Sequence, residues 1–149
     1  MSQVAWETNI GWDLSFPANT DLSASGTQFK FVQLLSTGYI TACTTAGQPA
    51  LGVLQEGAAG TTGTPRACTV RLGGPTKIQC GGTFVAGDLV TTDSAGLCVK
   101  YTGATIFTGT PYLLSGSQVL GVALAAGASG SVSTINFNPQ GPAAAGLVA

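Results

Sequence analysis

The chain of 149 residues has no histidine, a single methionine and only 7% charged residues. Histidine is the side chain most often used for proton transfer near neutral pH, so no Ser–His or Cys–His nucleophile can be built from these residues. Six acids and five bases are scattered singly along the sequence, and no two of them form a recognisable acid–base pair. We therefore do not expect this protein to be an enzyme.

Clustered positive charge and long apolar runs are also lacking. The net charge is −1, and the bases form no run. Nucleic-acid binding depends on clustered Lys and Arg, so no nucleic-acid partner is expected. The apolar stretch Val119–Ala126 is interrupted by Gly121 and is far shorter than the ~20 residues that span a bilayer. We expect no membrane segment and no secretory signal, and hence cytosolic synthesis.

The four cysteines do not follow a metal-binding pattern. None belongs to a CxxC motif and no histidine can act as a second ligand, so no metal or other cofactor is expected. Cys43, Cys68 and Cys98 lie in alternating stretches, which favours buried thiols. A disulfide such as Cys68–Cys80 is left open by the sequence.

Glycine is abundant, with 22 residues, and it separates short stretches rich in Val, Thr and Ser. Ala67–Leu72 alternates between apolar and polar residues, as a half-buried strand does. Two hairpins are predicted, Phe29–Leu35 with Tyr39–Thr44 and Asp88–Thr92 with Leu97–Tyr101. Strands at this spacing without a convincing helix predict an all-β barrel or sandwich.

The sequence contains an internal echo. Ala50–Leu54 and Val119–Leu124 share a Leu-Gly-Val core, and each leads through a Gly-rich connection to an alternating strand. We expect two equivalent strands on opposite sides of a small barrel. Gly52 and Gly121 are expected to mark bulges or tight bends.

The two ends of the chain differ from the middle. Residues 1–28 hold both tryptophans without a sustained apolar period, which indicates an extended N-terminal arm. Such an arm either lies on a neighbouring protein or wraps its own core, and the sequence favours neither. Residues 138–149 are rich in Pro, Gly and Ala and predict a flexible C-terminal tail, which leaves residues 29–137 as the folded domain.

Four stretches together resemble a known family: Pro49–Leu54, Ala67–Thr76, Val85–Gly96 and Val119–Ala126. Their order is similar to that in the small capsid decoration, or cement, proteins of tailed bacteriophages, over residues 30–137. The resemblance implies a small β-barrel or β-tulip-like domain on the outer surface of a phage head. It also implies binding to the major capsid protein and self-association as a trimer or dimer. In that family Ala-Gly-Asp-Leu-Val, followed here by Thr-Thr-Asp-x-x-Gly, is a structural motif in which a glycine-containing turn leads into a strand. The residues of this structural turn motif would be Gly87, Asp88, Asp93 and Gly96.

Candidate contact residues follow from this interpretation. Aromatic and aliphatic side chains of the arm are expected to anchor it to the capsid, and these are Trp6, Ile10, Trp12 and Phe16. Lys30, Arg66 and Arg71 are candidates for contacts at the rim of that interface, or are simply solvated charges. The alternative function is a carbohydrate- or receptor-binding module of a phage tail or surface structure, in which Tyr39, Tyr101 and Tyr112 would stack on sugars.

Overall fold

The computed structural model describes residues 12–103 and 118–139, and the regular structure of these residues is entirely β-strand. Their strands, in chain order, are β1 (Asp13–Ala18), β2 (Phe31–Leu34), β3 (Ile40–Ala42), β4 (Gly52–Glu56), β5 (Arg66–Arg71), β6 (Gly74–Gln79), β7 (Leu89–Thr92), β8 (Cys98–Lys100), β9 (Gly121–Ala123) and β10 (Val132–Phe137). The predicted all-β class is confirmed for these residues. They contain no helix with the length and apolar character needed to cross a membrane.

The strands form two antiparallel sheets of identical topology. The first sheet has the order β1-β5-β4-β2-β3 and the second has the order β6-β10-β9-β7-β8. Adding five to each strand number of the first sheet gives the second. The chain is therefore an internal duplication, with a first repeat (β1–β5) and a second repeat (β6–β10).

Apart from one register shift in the first repeat, the strand registers of the two repeats match. Gly52 of β4 lies opposite Val32, and Gly121 of β9 lies opposite Val90. A Cβ at either glycine would lie 2.3 or 2.2 Å from a carbonyl oxygen of the following strand, that of Arg71 or Asn136. The echo in the sequence thus has a structural basis, but the glycines mark close approach of two strands. The observed register shift lies instead between Leu54 and Glu56.

Both predicted hairpins are present and have the same turn. Leu35 donates its backbone N–H to Tyr39 at 2.8 Å, and Asp93 donates to Leu97 at 2.9 Å. The fourth residue of each turn is a glycine with positive φ, 84° in the first repeat and 77° in the second. This conformation is costly for residues with a Cβ, which explains the glycine in both turns.

Each sheet curls so that its edge strands come close together. In a flat five-stranded sheet the edges would be about 19 Å apart. Edge strands β1 and β3 of the first repeat instead approach within 8 Å at their Cα atoms. In the second repeat β6 and β8 meet at a bridge between Cys80 and Cys98, where Gly81 donates to the Cys98 carbonyl at 2.8 Å.

The structure does not confirm the expectation of one small β-barrel. The described residues form two curled sheets, and neither is closed by a continuous ladder. The stretches Ala50–Leu54 and Val119–Leu124, expected on opposite sides of one barrel, contribute the central strands of different sheets. Alternation with period two is the same in an open sheet and in a barrel, so it does not reveal which strands pair. The β-tulip likeness stays a prediction.

Each sheet encloses an apolar core. The core of the first repeat consists of Ala18, Leu22, Val32, Ile40, Leu54, Cys68 and Val70. The core of the second repeat extends into the contact between the repeats and consists of Phe31, Cys43, Val53, Ile78, Cys80, Phe84, Val90, Cys98, Leu120, Ala123, Ile135 and Phe137. Continuity of this second core joins the two repeats into one folded unit.

The described part of the N-terminal segment is built into the first repeat. Strand β1 is an edge strand that pairs with β5, and Leu22 is buried in the core. Pro17 lies within this strand, which is tolerated because an edge strand leaves one side unpaired. Residues 1–11 and 140–149 lie outside the described residues, and the division into arm, domain and tail stays a prediction.

Candidate interaction surfaces

The contact between the repeats shows which surfaces of this fold associate. Three residues on the convex side of the first sheet, Phe31, Cys43 and Val53, form what we call the outer patch of the first repeat. Phe31 lies opposite Val53, and Cys43 donates to the Phe31 carbonyl at 3.0 Å. Because the second repeat packs on the patch, each of these three residues is at most 1% exposed. The Phe31 ring lies 6.1 Å from that of Phe137.

The second repeat covers this patch with one end of its sheet. In each repeat, the end of the sheet that carries the hairpin turn, β2–β3 or β7–β8, is called the turn end. Phe31 donates to the carbonyl of Gly96 in the turn at 2.9 Å, and Gly47 donates to Thr92 at 2.8 Å. The junction is therefore held by backbone hydrogen bonds in addition to apolar burial, and the hydrogen bonds fix its register.

The predicted structural turn begins at Gly87, whose φ is 90°. Asp88 follows and accepts a hydrogen bond from the Val85 amide at 2.9 Å, and Lys100 Nζ lies 3.0 Å from its other oxygen. The Val85 bond, followed by the Lys100 contact, lowers the pKa of Asp88 below its ordinary value. Asp88 thus links the turn before β7 to the end of β8.

Asp93 and Gly96 shape the turn that enters the junction. One Asp93 oxygen accepts hydrogen bonds from the amides of Ala95 and Leu97, at 2.8 and 2.9 Å. A Cβ at Gly96 would lie 3.0 Å from the Phe31 carbonyl oxygen. These two residues order the turn and let it approach the first repeat.

The three candidate rim residues lie in different settings. Arg71 binds both oxygens of Asp13, at 2.7 and 2.9 Å, and donates to the Pro75 carbonyl at 3.1 Å. The hydrogen bond to Asp13 raises the pKa of Arg71. Arg71 therefore ties β1 to β5 within the chain. Lys30 is half-buried, whereas Arg66 is exposed.

The candidate arm anchors also differ. Trp12 is 67% exposed just before β1, and its carbonyl accepts a hydrogen bond from Leu72 at 2.7 Å. Phe16 is half-buried against the core of the first repeat. Trp6 and Ile10 lie outside the described residues. Of the four, Trp12 is thus shown with its side chain available to a partner.

Exposed apolar residues occur at two places that sequence reasoning missed. Leu89, Tyr101 and Val122 occupy the positions in the second repeat equivalent to Phe31, Cys43 and Val53, and we call them the outer patch of the second repeat. Leu89 is 44% and Val122 37% exposed. Comparing the two hairpins would have identified Phe31 and Leu89 as equivalent positions, because Phe-Val at 31–32 corresponds to Leu-Val at 89–90, but not that Leu89 is exposed.

The second place is the turn end of the first repeat. A groove of about 390 Å³ lies there, and Leu34, 50% exposed, forms part of its wall. The complete lining is Gln33, Leu34, Gln48, Pro49, Ala50 and Leu51. The equivalent end of the second repeat is the one buried in the junction.

The described part of the chain also contains the thiols and acids that were considered for a disulfide or a metal site. All four cysteines are free and buried, including Cys68 and Cys80. Burial raises the pKa of Cys43 to about 12. Within residues 12–103 and 118–139, no group of three or more Cys, Asp or Glu side chains has a metal-binding arrangement.

The tyrosines considered for sugar stacking offer limited surface where they are described. Tyr39 and Tyr101 are both half-buried, and Tyr112 lies outside the described residues. Tyr101 belongs to the outer patch of the second repeat. Among the described residues, Trp12 is the aromatic side chain with the largest exposed fraction.

Comparison with solved structures relates the fold to a phage protein. The chain is similar to the N base of the head fiber gp8.5 of bacteriophage phi29, with a TM-score of 0.57 and 14% sequence identity. The likeness covers 85% of this chain and 95% of the phi29 chain. No protein-family model matches the sequence, and no curated protein does. At this identity the comparison establishes a similar fold.

Proposed function

We propose that this protein is a structural protein of a phage head. The observation that carries the proposal is the likeness of fold to the phi29 head fiber base over most of both chains. The motifs at Pro49–Leu54 and Val85–Gly96, which resemble phage decoration proteins, support the same setting independently of the structure. The absence of histidine and the low charge support a role without catalysis.

More specifically, we propose that it decorates the outer surface of the head and binds the major capsid protein. Its own copies would associate as a trimer or dimer, and the protein would be made in the host cytoplasm. A bound copy that bridges neighbouring capsid subunits stabilises their contact. Many copies held by several weak contacts resist detachment, because the contacts must break together.

Two exposed residues are the candidates for capsid contact among those described. Trp12 offers a large aromatic surface, and Trp is enriched among residues that dominate interface energies. Arg66 is exposed and pairs with no acid within 4 Å among the described residues, so its charge is available to a partner. Trp6 and Ile10 are retained as proposed anchors.

Co-sedimentation with purified empty heads of its own phage tests this function. Compact and expanded heads are incubated with increasing protein, pelleted, and the bound protein is quantified. We expect saturable binding to expanded heads at a fixed ratio to the major capsid protein. Absence of binding to both forms would refute the decoration role and would favour the tail or carbohydrate-binding alternative.

Matched variants locate the contact. Deletion of residues 2–11 leaves β1 intact and removes Trp6 and Ile10, whereas deletion of 2–27 would also remove a strand and part of the core. We expect the shorter deletion and Trp12→Ser each to weaken head binding without lowering the melting temperature. Val132→Ser is the control, because Val132 is 53% exposed on the second repeat and is not a proposed anchor.

A further inference from the structure

The two exposed apolar surfaces are the two halves of the junction that joins the repeats. The junction brings the outer patch of the first repeat against the turn end of the second repeat. The outer patch of the second repeat and the turn end of the first repeat have no equivalent cover among the described residues. We propose that a second copy of this chain provides that cover, with its first-repeat turn end on the outer patch of the second repeat.

The equivalence of the two outer patches is the first step of the argument. Phe31 lies opposite Val53 in the first repeat, as Leu89 lies opposite Val122 in the second. Tyr101 donates to the Leu89 carbonyl at 2.8 Å, as Cys43 donates to the Phe31 carbonyl. The same backbone geometry thus presents apolar side chains at the same positions in both repeats.

The two patches differ in whether they are covered. Phe31 and Val53 are fully buried, whereas Leu89 and Val122 are 44% and 37% exposed. Leu124, two residues beyond Val122, extends the apolar surface with 50% exposure. Apolar residues grouped at a position that is an interface in the other repeat indicate a binding surface.

The free turn end of the first repeat is the complementary surface. Its groove includes Leu34, Pro49 and Leu51. The equivalent residues of the second repeat lie at the junction, where Thr92, the counterpart of Leu34, accepts the hydrogen bond from Gly47. A Cβ at Gly38 would meet no atom within 4 Å, whereas one at the equivalent Gly96 would press on the first repeat.

The contact between copies is expected to be weaker than the junction within a chain. Gln79 donates its backbone N–H to Phe29, and Gln118 donates to Gly47. The equivalent positions in the first repeat are Pro17 and Pro49, and proline has no N–H to donate. Within the chain, the Phe31 N–H donates to the Gly96 carbonyl. The equivalent bond between copies, from the Leu89 N–H of one copy to the Gly38 carbonyl of the other, can still form. Association therefore relies mainly on apolar burial and should be reversible.

The proposed contact is heterologous, because it joins two different surfaces of the same chain. A pair of copies joined by this contact leaves one outer patch and one turn end free, so further copies add until a ring closes. This proposal concerns the self-association included in the proposed function, but it is tested without capsids. A monomeric protein that binds heads would refute only the contact between copies, and an oligomer that does not bind heads would refute only the capsid role.

Sedimentation velocity of the wild type and two surface variants tests the contact. Leu89→Glu changes the outer patch of the second repeat, and Leu34→Glu changes the turn end of the first. Both residues are exposed, so the folded monomer should keep its melting temperature. We expect the wild type to associate reversibly, and each variant to associate at least about tenfold more weakly because a carboxylate resists desolvation.

Mixing the two variants distinguishes a head-to-tail contact from a symmetric one. The Leu89→Glu copy retains its turn end and the Leu34→Glu copy retains its outer patch, so the mixture should form a 1:1 complex and nothing larger. Val132→Glu is the control, because the equivalent Ala67 is exposed and outside the junction. This variant should associate like the wild type.

Several results would overturn the proposal. A wild type that stays monomeric at high concentration would assign the outer patch to another segment of this chain or to a different protein. Association that survives both Leu89→Glu and Leu34→Glu would place the contact elsewhere. Failure of the mixture to form a 1:1 complex would exclude the head-to-tail arrangement.

Discussion

The two glycines at the centre of the sheets allow the packing of the strands to be tested by adding one methyl group. A Cβ at position 52 would lie 2.3 Å from the Arg71 carbonyl oxygen and 2.6 Å from Val70 Cγ1. One at position 121 would lie 2.2 Å from the Asn136 carbonyl oxygen. These distances are about 1 Å shorter than an unstrained contact. Gly52→Ala and Gly121→Ala must therefore push neighbouring strands apart.

The expected cost follows from the two effects of that displacement. Overpacking costs about 1–3 kcal/mol, and weakening one ladder hydrogen bond adds about 1 kcal/mol. We expect each substitution to lower the free energy of unfolding by about 2–4 kcal/mol, with similar values because the two sites are equivalent. For a chain of this size that corresponds to a fall in Tm of about 4–16 °C.

Urea titration followed by circular dichroism measures these changes. Gly63→Ala is the matched control, because a Cβ there meets no atom within 4 Å and its φ is not positive. It should leave stability unchanged or raise it by about 0.4–1 kcal/mol through the unfolded state. If Gly52→Ala and Gly121→Ala were as stable as Gly63→Ala, the close approach of the strands would be refuted.

Five further substitutions, grouped into three tests, probe the junction and the structural turn. Phe31→Ala should lower the free energy of unfolding by about 3–5 kcal/mol, measured by urea titration at low protein concentration. The equivalent Leu89→Ala should lower it by under about 1 kcal/mol. Equal losses would contradict the asymmetric burial of the two positions. In the same assay, Gly38→Ala should lower the free energy of unfolding by about 1 kcal/mol because of its positive φ. Gly96→Ala should lower it by at least about 1 kcal/mol more, because the added Cβ crowds Phe31. Equal losses would refute that crowding. The lowered pKa of Asp88 stabilises the fold above its unfolded value near 3.8, and this stability is lost as pH falls through the folded value. Asp88→Asn should therefore lose less stability than the wild type between about pH 5 and pH 2 in thermal melts, and identical pH profiles would contradict this role.

Local features of the fold were predictable because their signals are short. The hairpins at 31–42 and 89–100 combine alternating strands with a glycine at the position of positive φ, and both turns form as expected. The Leu-Gly-Val echo correctly indicated equivalent strands. These features depend on residues close together in the sequence, where turn chemistry and alternation act directly.

The pairing of distant strands was not predictable from the same signals. Strand β1 has only Leu14, Phe16 and Ala18 on its inner side, and Pro17 interrupts the pattern of a regular strand. Its partner β5 lies more than 45 residues further along the chain, so only the tertiary structure identifies it. The division into two sheets depends on such long-range pairs.

The candidate surfaces show the same limit. The sequence suggests that Arg71 is a cation available for a partner or for solvent, but in the structure it is bound to Asp13. Leu89 and Val122 look like ordinary core residues of alternating strands, yet they are exposed because no further repeat within residues 12–103 and 118–139 packs on the second one. Burial of one repeat by the next is a property of the assembled fold and has no local sequence signal.

Immunogold electron microscopy of purified virions is the measurement that tests the proposed role most directly. Virions of the phage that encodes this protein are labelled with an antibody against the purified chain, and gold particles on heads and tails are counted. The account predicts label on the head surface in intact particles. Label confined to tails, or a chain missing from purified virions, would contradict it.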